Sequence, residues 1–247
     1  MKETPEQIFE RGGRDNPRFW SRFSFPPVLA GATVMDVGCA HGRLCVDMAL
    51  AGVRKVVGID IDADAIAFAR ENLQRNYPQL VGPVEFTCAD LRTYDGSDFD
   101  YIVSKESGEH FLDFAGMLAE MGKRLKPGGR IYMGFGPLWN SPYGDHKMYK
   151  LVLPWAHLVV PERIIARRVR KLWRKPIESI SATGLNRLSL ADYRRIFHES
   201  GLKVVSLAAN CSTHPLVRIC SVLGRLPFLE EYFTLGIFCI LEKPREA

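Results

Sequence analysis

Short apolar runs alternate along this chain with longer segments in which apolar residues recur every three or four positions. The short runs are typical of buried strands, and the periodic segments are typical of amphipathic helices. The strand-like runs lie at 33–37, 55–59, 84–88, 99–104, 130–135, 203–207 and 233–241. Helical segments lie at 42–51, 62–76, 109–125 and 189–200, after an irregular helical lead-in at 5–23. The alternation predicts an α/β fold with a mostly parallel sheet, in which the last strand lies beside the fifth.

The regular alternation stops over residues 137–187, which are rich in proline, aromatic and basic side chains. We interpret 1–136 and 188–247 as one α/β core with its N-terminal lead-in. The segment 137–187 is then a helical cap inserted over the active site. A chain of 247 residues is long enough for one such integrated domain and too short for two full catalytic domains.

The net charge of +5 is concentrated in one part of the cap, since residues 161–176 contain seven basic residues and one acidic residue. Within it, residues 163–175 place their apolar side chains on one helical face, which predicts an amphipathic helix with a solvated basic face. Docking to an acidic carrier protein, to an anionic substrate or to a membrane surface remains open. Nucleic acid is disfavoured, because one short basic helix is a small footprint.

No apolar stretch reaches the roughly 20 residues that a transmembrane helix needs, and the N-terminus has no apolar core of a signal peptide. The six cysteines form no CxxC pair. We therefore expect a cytoplasmic protein with reduced, mostly structural cysteines. No cluster of ligand type along the sequence predicts a metal site.

A glycine-containing turn follows the first strand and leads into a helix. Gly38 and Gly42 let the backbone approach a ligand closely, and the helix N-terminus offers free N–H groups. Asp60, at the end of the second strand, is placed to accept hydrogen bonds from ribose hydroxyls. The turn lacks the G-x-G-x-x-G pattern of dinucleotide-binding proteins. Asp36 lies two residues before Gly38, the first glycine of the turn. Its carboxylate suits a positively charged amino-acid group better than a pyrophosphate.

Five sequence blocks in order resemble the class I S-adenosylmethionine-dependent methyltransferases. Asp36-x-Gly38-x-x-x-Gly42 is similar to their motif I, and the remaining blocks lie at 59–60, 88–91, 99–104 and 125–129. The resemblance spans 32–136. It implies a seven-stranded Rossmann-like class I methyltransferase fold, with helices on both faces of the sheet, and S-adenosylmethionine as the cofactor. It departs at Ala40, where the family usually has a middle glycine.

The resemblance also implies how the cofactor is held. Asp36 is expected to hold the methionine amino group and Asp60 the ribose. Ile61 is expected to pack on the adenine ring, while Asp90 and the backbone of Leu91 recognise its edge. Gly38, Cys39, Gly42 and Ser104 complete the expected cofactor-binding set.

Candidates for substrate binding and catalysis follow the fourth and fifth strands, because ligands lie at the carboxyl ends of strands in open α/β sheets. His146 is a candidate general base, and His110 and Glu106 are further catalytic candidates. The expected substrate-binding residues are Trp139, Asn140 and Tyr143 in the cap and Trp20 and Arg22 in the lead-in.

The predicted reaction is methyl transfer to a small-molecule acceptor by in-line displacement at the sulfonium. The same pocket could direct attack at another carbon, with cyclisation of the aminobutyrate arm and release of methylthioadenosine. The sequence is also compatible with an adaptor that binds S-adenosylmethionine and docks a partner, and with an RNA methyltransferase. It does not identify the acceptor.

Overall fold

Seven strands form one sheet in the computed structural model, which describes residues 3–173, 183–210, 219, 222–226 and 228–245. The strands are β1 (Thr33–Val37), β2 (Lys55–Asp60), β3 (Val84–Cys88), β4 (Phe99–Lys105), β5 (Leu125–Phe135), β6 (Lys203–Ala209) and β7 (Ile237–Glu242). Their order across the sheet is β3-β2-β1-β4-β5-β7-β6. The first five strands run parallel, and β7 pairs antiparallel with both β5 and β6. The prediction that the last strand lies beside the fifth is confirmed.

Helices cover both faces of this sheet. They are α1 (Pro5–Trp20), α2 (Arg43–Leu50), α3 (Ala63–Asn76), α4 (Phe114–Arg124), α5 (Ala156–Val159), α6 (Glu162–Trp173), α7 (Leu190–Glu199) and α8 (Glu230–Phe233). Short 3-10 turns lie at Pro78–Leu80, Leu91–Thr93 and Gly108–His110. Among the described residues, no helix combines the length and the apolar character needed to cross a bilayer.

Two buried clusters form because successive strand residues point to opposite faces. On β1, Val34 packs in one cluster with α1, α2 and α3, and Met35 packs in the other with α4 and α7. Each fully buried apolar side chain contributes about 1.5–3 kcal/mol. This packing fixes the carboxyl ends of β1 and β4 relative to each other, and with them the loops that lead into α2 and α4.

Three predicted boundaries are wrong. Helix α4 begins at Phe114 rather than residue 109, because Asp113 caps it by accepting a hydrogen bond from the Gly116 amide at 2.9 Å. Strand β5 begins at Leu125, which pairs with Phe99, so the Lys-Pro-Gly-Gly turn lies within the strand's bounds. The last strand begins at Ile237, since residues 230–233 form α8. Helix α1 is regular to Trp20, although it contains Pro17.

The segment 137–187 has a small core of its own, in which Ile165 and Val169 of α6 pack with Tyr149. The predicted amphipathic helix is present, with its arginines on the exposed side. Ile164, predicted on the apolar face, is 49% exposed. Residues 174–182, with the last two basic residues of the segment, lie outside the described residues, as do Cys211 and Cys220.

Candidate functional site

A cavity of about 760 Å³ lies at the carboxyl ends of β1, β2, β3 and β4. This volume is within the range of roughly 300–1,000 Å³ that is usual for small-ligand sites. Of the residues predicted to bind the cofactor, Asp36, Gly38, Cys39, Asp60, Ile61, Asp90 and Leu91 line it. The catalytic candidates Glu106 and His110 line it as well. The parallel strands thus bring together side chains that are far apart in the sequence.

The turn after β1 is held close to its neighbours. Gly38 has φ +78°, and a Cβ there would lie 2.3 Å from Oγ of Ser107. Gly42 has φ +80°, and a Cβ there would lie 2.4 Å from the Phe86 ring. Gly42 therefore allows the turn to pack closely against Phe86, but it does not line the cavity. Ala40 also adopts a left-handed conformation, with φ +46°, and its side chain is exposed. The turn therefore keeps the left-handed backbone that the expected glycine would adopt without strain.

Asp36 is a buried carboxyl group at the bottom of this turn. Its Oδ2 accepts a hydrogen bond from the Cys45 thiol at 3.4 Å. Burial raises the pKa of Asp36 to about 7, although the Cys45 hydrogen bond and the charge of Lys105 act in the opposite direction. These two interactions offset only part of the cost of burying the carboxylate. A cationic ligand group beside Asp36 would therefore stabilise its charged form.

Asp60 organises the backbone on the other side of the cavity. Its Oδ2 accepts a hydrogen bond from the Ala40 amide at 2.8 Å, and its Oδ1 accepts one from the Asp62 amide at 2.9 Å. Each carboxylate oxygen has a second lone-pair site. Asp60 can therefore accept hydrogen bonds from ligand hydroxyls while it holds the turn closed.

Two large apolar side chains in the lining of the cavity are exposed. Ile61 is 77% exposed and Leu112 is 66% exposed. Asp90 also lines the cavity, but both of its oxygens are bound by Arg92, with Nε at 2.9 Å from Oδ1. The hydrogen bonds from Arg92 lower the pKa of Asp90 to about 2. An edge-on contact from Asp90 to a ligand must share the carboxylate with Arg92.

Helix α1 forms a wall of the cavity, but through residues other than the predicted Trp20 and Arg22. Asn16, on this helix, is buried; its Nδ2 donates to Asp47 of α2 at 2.7 Å, and its Oδ1 accepts from Nζ of Lys105 at 2.9 Å. Lys105, at the end of β4, lines the cavity together with His41 and Arg43. The sequence placed the lead-in at the site through Trp20 and Arg22, and Lys105 directly precedes the candidate Glu106, but no local signal predicted that Asn16 and Lys105 would meet.

His146 and His110 come close to each other at the border between the cavity and the cap. Their ring centroids are 5.4 Å apart. Nε2 of His146 lies 3.1 Å from the Pro137 carbonyl, and Nδ1 of His110 lies 2.9 Å from the Gly184 carbonyl. Burial lowers the pKa of His146. His146 itself does not line the cavity, whereas His110 does.

Glu109, which the local sequence did not single out, is buried beside this pair. Burial raises its pKa to about 8. Its Oε2 is buried and has no hydrogen-bond partner among the described residues. A helix was predicted to begin at Glu109, and a residue in the first turn of a helix is not expected to be enclosed in this way.

The other predicted site residues lie away from the cavity. Ser104 is fully buried and donates to the Val37 carbonyl at 3.0 Å, joining β4 to β1. Trp20 packs between aromatic rings, and Arg22 lies over Phe238 and lines a separate hollow of about 270 Å³. In the N-terminal segment, α1 residues 8–16 line the main cavity instead.

The three substrate-binding candidates in the cap are engaged in contacts within the fold. Asn140 donates to Glu231 at 2.7 Å, the Trp139 ring contacts His157 and Arg187, and the Tyr143 ring contacts Lys147. No described residue of 137–187 lines the cavity. The cap reaches the cavity wall through the contacts of His110 with Gly184 and His146.

The chain is similar to known methyltransferases in both sequence and structure. A family described as "Methyltransferase domain" matches residues 29–136. The ribosomal protein L11 methyltransferase of Burkholderia lata is 32% identical over 127 residues, which are 51% of this chain and 39% of that protein. The chain thus spans well under half the length of this curated relative.

Solved structures match over nearly the whole chain. A putative S-adenosylmethionine-dependent methyltransferase from Listeria monocytogenes has a TM-score of 0.61 at 15% identity, covering 95% of this chain and 99% of that one. Phosphoethanolamine N-methyltransferase 2 of Haemonchus contortus, solved with S-adenosyl-L-methionine, has a TM-score of 0.63 at 16% identity, covering 98% of this chain and 58% of that one. At such identities, the likeness shows the fold.

Proposed function

We propose that the protein transfers a methyl group from S-adenosylmethionine to a small-molecule acceptor. Residues 29–136 match the methyltransferase domain family, and the chain has the fold of class I S-adenosylmethionine-dependent methyltransferases. The observation that carries the proposal is the composition of the cavity. The cavity combines the buried carboxyl group of Asp36, the carboxylate of Asp60 at the end of β2, and the exposed apolar side chains of Ile61 and Leu112.

The residues of the cavity fit this cofactor. The buried carboxyl of Asp36 matches the methionine ammonium group, because a cation beside it offsets the cost of its burial. Asp60 matches the ribose hydroxyls, since its oxygens keep unused lone pairs. Ile61 and Leu112 form an apolar surface for the adenine ring.

S-adenosylmethionine supplies an electrophilic methyl group on a sulfonium. The chain's own residues position the acceptor and remove its proton. Glu106 and His110 are the two catalytic candidates that line the cavity. Glu106 is held at φ +53°, an uncommon conformation for a residue with a side chain, and its amide donates to the Gly134 carbonyl at 2.8 Å. We assign Glu106 as the proton acceptor, and His110 as a residue that lines the part of the cavity beside it.

The shape of the site supports a small acceptor. An acceptor must reach the end of β4 between α1 and the segment that leads into α4, which is a concave space. The similarity to the Burkholderia protein extends over only half of this chain. A protein acceptor is therefore not the acceptor that we propose.

Calorimetric titration with S-adenosylmethionine tests cofactor binding. We expect binding by the wild-type protein and a loss of at least about 10-fold in affinity in Asp60→Ala, because hydrogen bonds to a charged group are each worth about 1.5–3 kcal/mol. Asp64→Ala is the matched control, since Asp64 is exposed, lies on the same loop and helix start, and does not line the cavity. No binding by the wild-type protein, or equal affinity in the two variants, would contradict the proposal.

Product analysis tests the reaction. With candidate acceptors added, methyl transfer gives S-adenosylhomocysteine and a methylated product. Methylthioadenosine formed without an acceptor would instead indicate cyclisation of the aminobutyrate arm. Binding without turnover of any acceptor would favour an adaptor, and salt-dependent binding of RNA with methylation would favour an RNA methyltransferase.

A further inference from the structure

Glu109, His110 and His146 form a cluster at the border between the cavity and the cap. One potential ligand atom from each of the three side chains lies within 4.8 Å of the others. The two histidines are 36 residues apart in the sequence. The fold brings them together because the turn after β4 faces the segment that follows β5.

Backbone carbonyls orient both imidazole rings. A carbonyl only accepts hydrogen bonds, so the ring nitrogen beside it carries the proton. This applies to Nδ1 of His110, 2.9 Å from the Gly184 carbonyl, and to Nε2 of His146, 3.1 Å from the Pro137 carbonyl. In the neutral rings, Nε2 of His110 and Nδ1 of His146 therefore keep free lone pairs. Metal-binding histidines are characteristically held in this way, with the other ring nitrogen donating to a carbonyl.

Glu109 provides an independent indication that a cation binds at this cluster. Its side chain is only 4% exposed, and its buried Oε2 has no hydrogen-bond partner among the residues that the structure describes. An unpartnered buried oxygen is costly, and buried charges in proteins are normally paired or bound to metals. A cation beside Glu109 would satisfy this oxygen.

We propose that Glu109, His110 and His146 bind a divalent transition-metal ion, with Zn²⁺ as the expected ion. Two imidazoles and one carboxylate are a ligand set that Zn²⁺ favours, whereas Mg²⁺ and Ca²⁺ prefer oxygen ligands throughout. Ligand atoms about 2.1 Å from a tetrahedral ion lie about 3.4 Å apart, so ligand atoms that lie within 4.8 Å of one another would approach by up to about 1.4 Å on binding.

Three protein ligands leave one position of a tetrahedral ion open. Of the three residues only His110 lines the cavity, so we place the open position on the side of the ion that faces the cavity. This step rests on the proposed function. An ionisable oxygen of the acceptor would coordinate at the open position, and the ion would favour the deprotonated form of that oxygen.

Metal titration of the full-length protein, after chelator treatment and dialysis, tests the site without reference to activity. We expect one equivalent of Zn²⁺ to bind by calorimetry, with affinity reduced at least about 10-fold in His110→Gln and in His146→Gln. His198→Gln is the matched control, because His198 is an exposed histidine at the end of α7, outside the cluster. It should leave binding unchanged.

Co²⁺ provides a second readout, since its absorption spectrum distinguishes nitrogen and oxygen ligands from thiolates. A thiolate charge-transfer band, no bound metal, or equal binding by the wild-type protein and both histidine variants would overturn the proposal. Circular dichroism confirms that each variant is folded. Because His110 is exposed, His110→Gln remains informative should the His146 variant be unstable. Failure of S-adenosylmethionine binding would leave these metal titrations unaffected, so the two proposals are tested separately.

Discussion

The Cys45 thiol donates a hydrogen bond to Oδ2 of Asp36 over 3.4 Å, and both side chains are buried. A thiol is a weak donor. Asp36 therefore keeps most of the cost of burying a carboxylate, and its pKa rises to about 7. The residue that we assign to the cofactor's ammonium group is thus a source of instability in the ligand-free protein.

The first prediction concerns stability and pH. Because the folded-state pKa of Asp36 is raised from 3.8 to about 7, its favourable contribution is complete below about pH 4 and is lost as the pH rises through 7. Asp36→Asn removes this dependence. We expect the variant's free energy of unfolding, relative to wild type, to rise by about 2–3 kcal/mol between pH 5 and pH 8.

Denaturant unfolding of both proteins at the two pH values measures this difference. Comparing the variant with wild type cancels the contribution of Glu109, whose pKa is also raised by burial. A difference that does not change with pH would show that Asp36 is ionised normally in the folded protein.

The second prediction concerns the cofactor. Binding of a cation beside Asp36 requires its ionised form, so we expect the affinity for S-adenosylmethionine to fall as the pH decreases below about 7, by up to about 10-fold per pH unit. Asp36→Asn should bind more weakly and lose this pH dependence. Calorimetry at pH 6, 7 and 8 measures both effects, and Asp64→Asn serves as the exposed control. The same pH profile in wild type and Asp36→Asn would assign the titration to another group.

The third prediction compares two glycines with nearly equal backbone angles. Gly38 has φ +78° and Gly201 has φ +73°, but a Cβ on Gly201 meets no atom within 4 Å, whereas one on Gly38 would lie 2.3 Å from Oγ of Ser107. Alanine at either position carries the left-handed strain. We expect Gly38→Ala to cost about 1–3 kcal/mol more than Gly201→Ala, because only the former overpacks its surroundings.

Urea unfolding of both variants gives this difference. Adding Ser107→Gly to Gly38→Ala should recover part of the excess, because it removes the atoms that the new methyl group would contact. Equal costs in the two single variants would mean that the turn adjusts without strain.

The fourth prediction concerns the attachment of α1. Asn16 joins Asp47 of α2 to Lys105 of β4 through two hydrogen bonds of 2.7 and 2.9 Å. Because each bond involves a charged partner, Asn16→Ala should reduce the free energy of unfolding by about 2–4 kcal/mol. It should also weaken S-adenosylmethionine binding, since α1 forms one wall of the cavity.

Asn76→Ala is the control for this fourth prediction. Asn76 is an exposed asparagine at the end of α3, hydrogen-bonded only to Asn72 among the described residues, and its loss should cost about 0.5 kcal/mol or less. If the two variants were equally stable, the network around Asn16 would not hold α1 in place.

The sequence determined the elements whose signals are local. Apolar runs predicted each of the seven strands. The central strands are buried on both faces and need apolar residues throughout, whereas β6, at the edge of the sheet, is exposed or half-buried along its length. The helical segment predicted at 189–200 is confirmed as α7, which Ser189 caps by accepting a hydrogen bond from the Asp192 amide. The acids at the ends of β1 and β2 were predictable as cavity residues, because parallel strands end at the same edge of the sheet.

Strand order and helix packing set which more distant side chains join these acids. Trp20 and Arg22 were expected at the ligand and lie elsewhere, because the packing of α1 turns residues 8–16 toward the cavity instead. Glu109 and His146 meet although nothing in the local sequence of either predicts the other, since the pairing of β4 with β5 sets the position of the loops that carry them. Side-chain periodicity specifies which face of an element is buried, whereas neighbours across the sheet are set by strand order and helix packing, which no local pattern encodes.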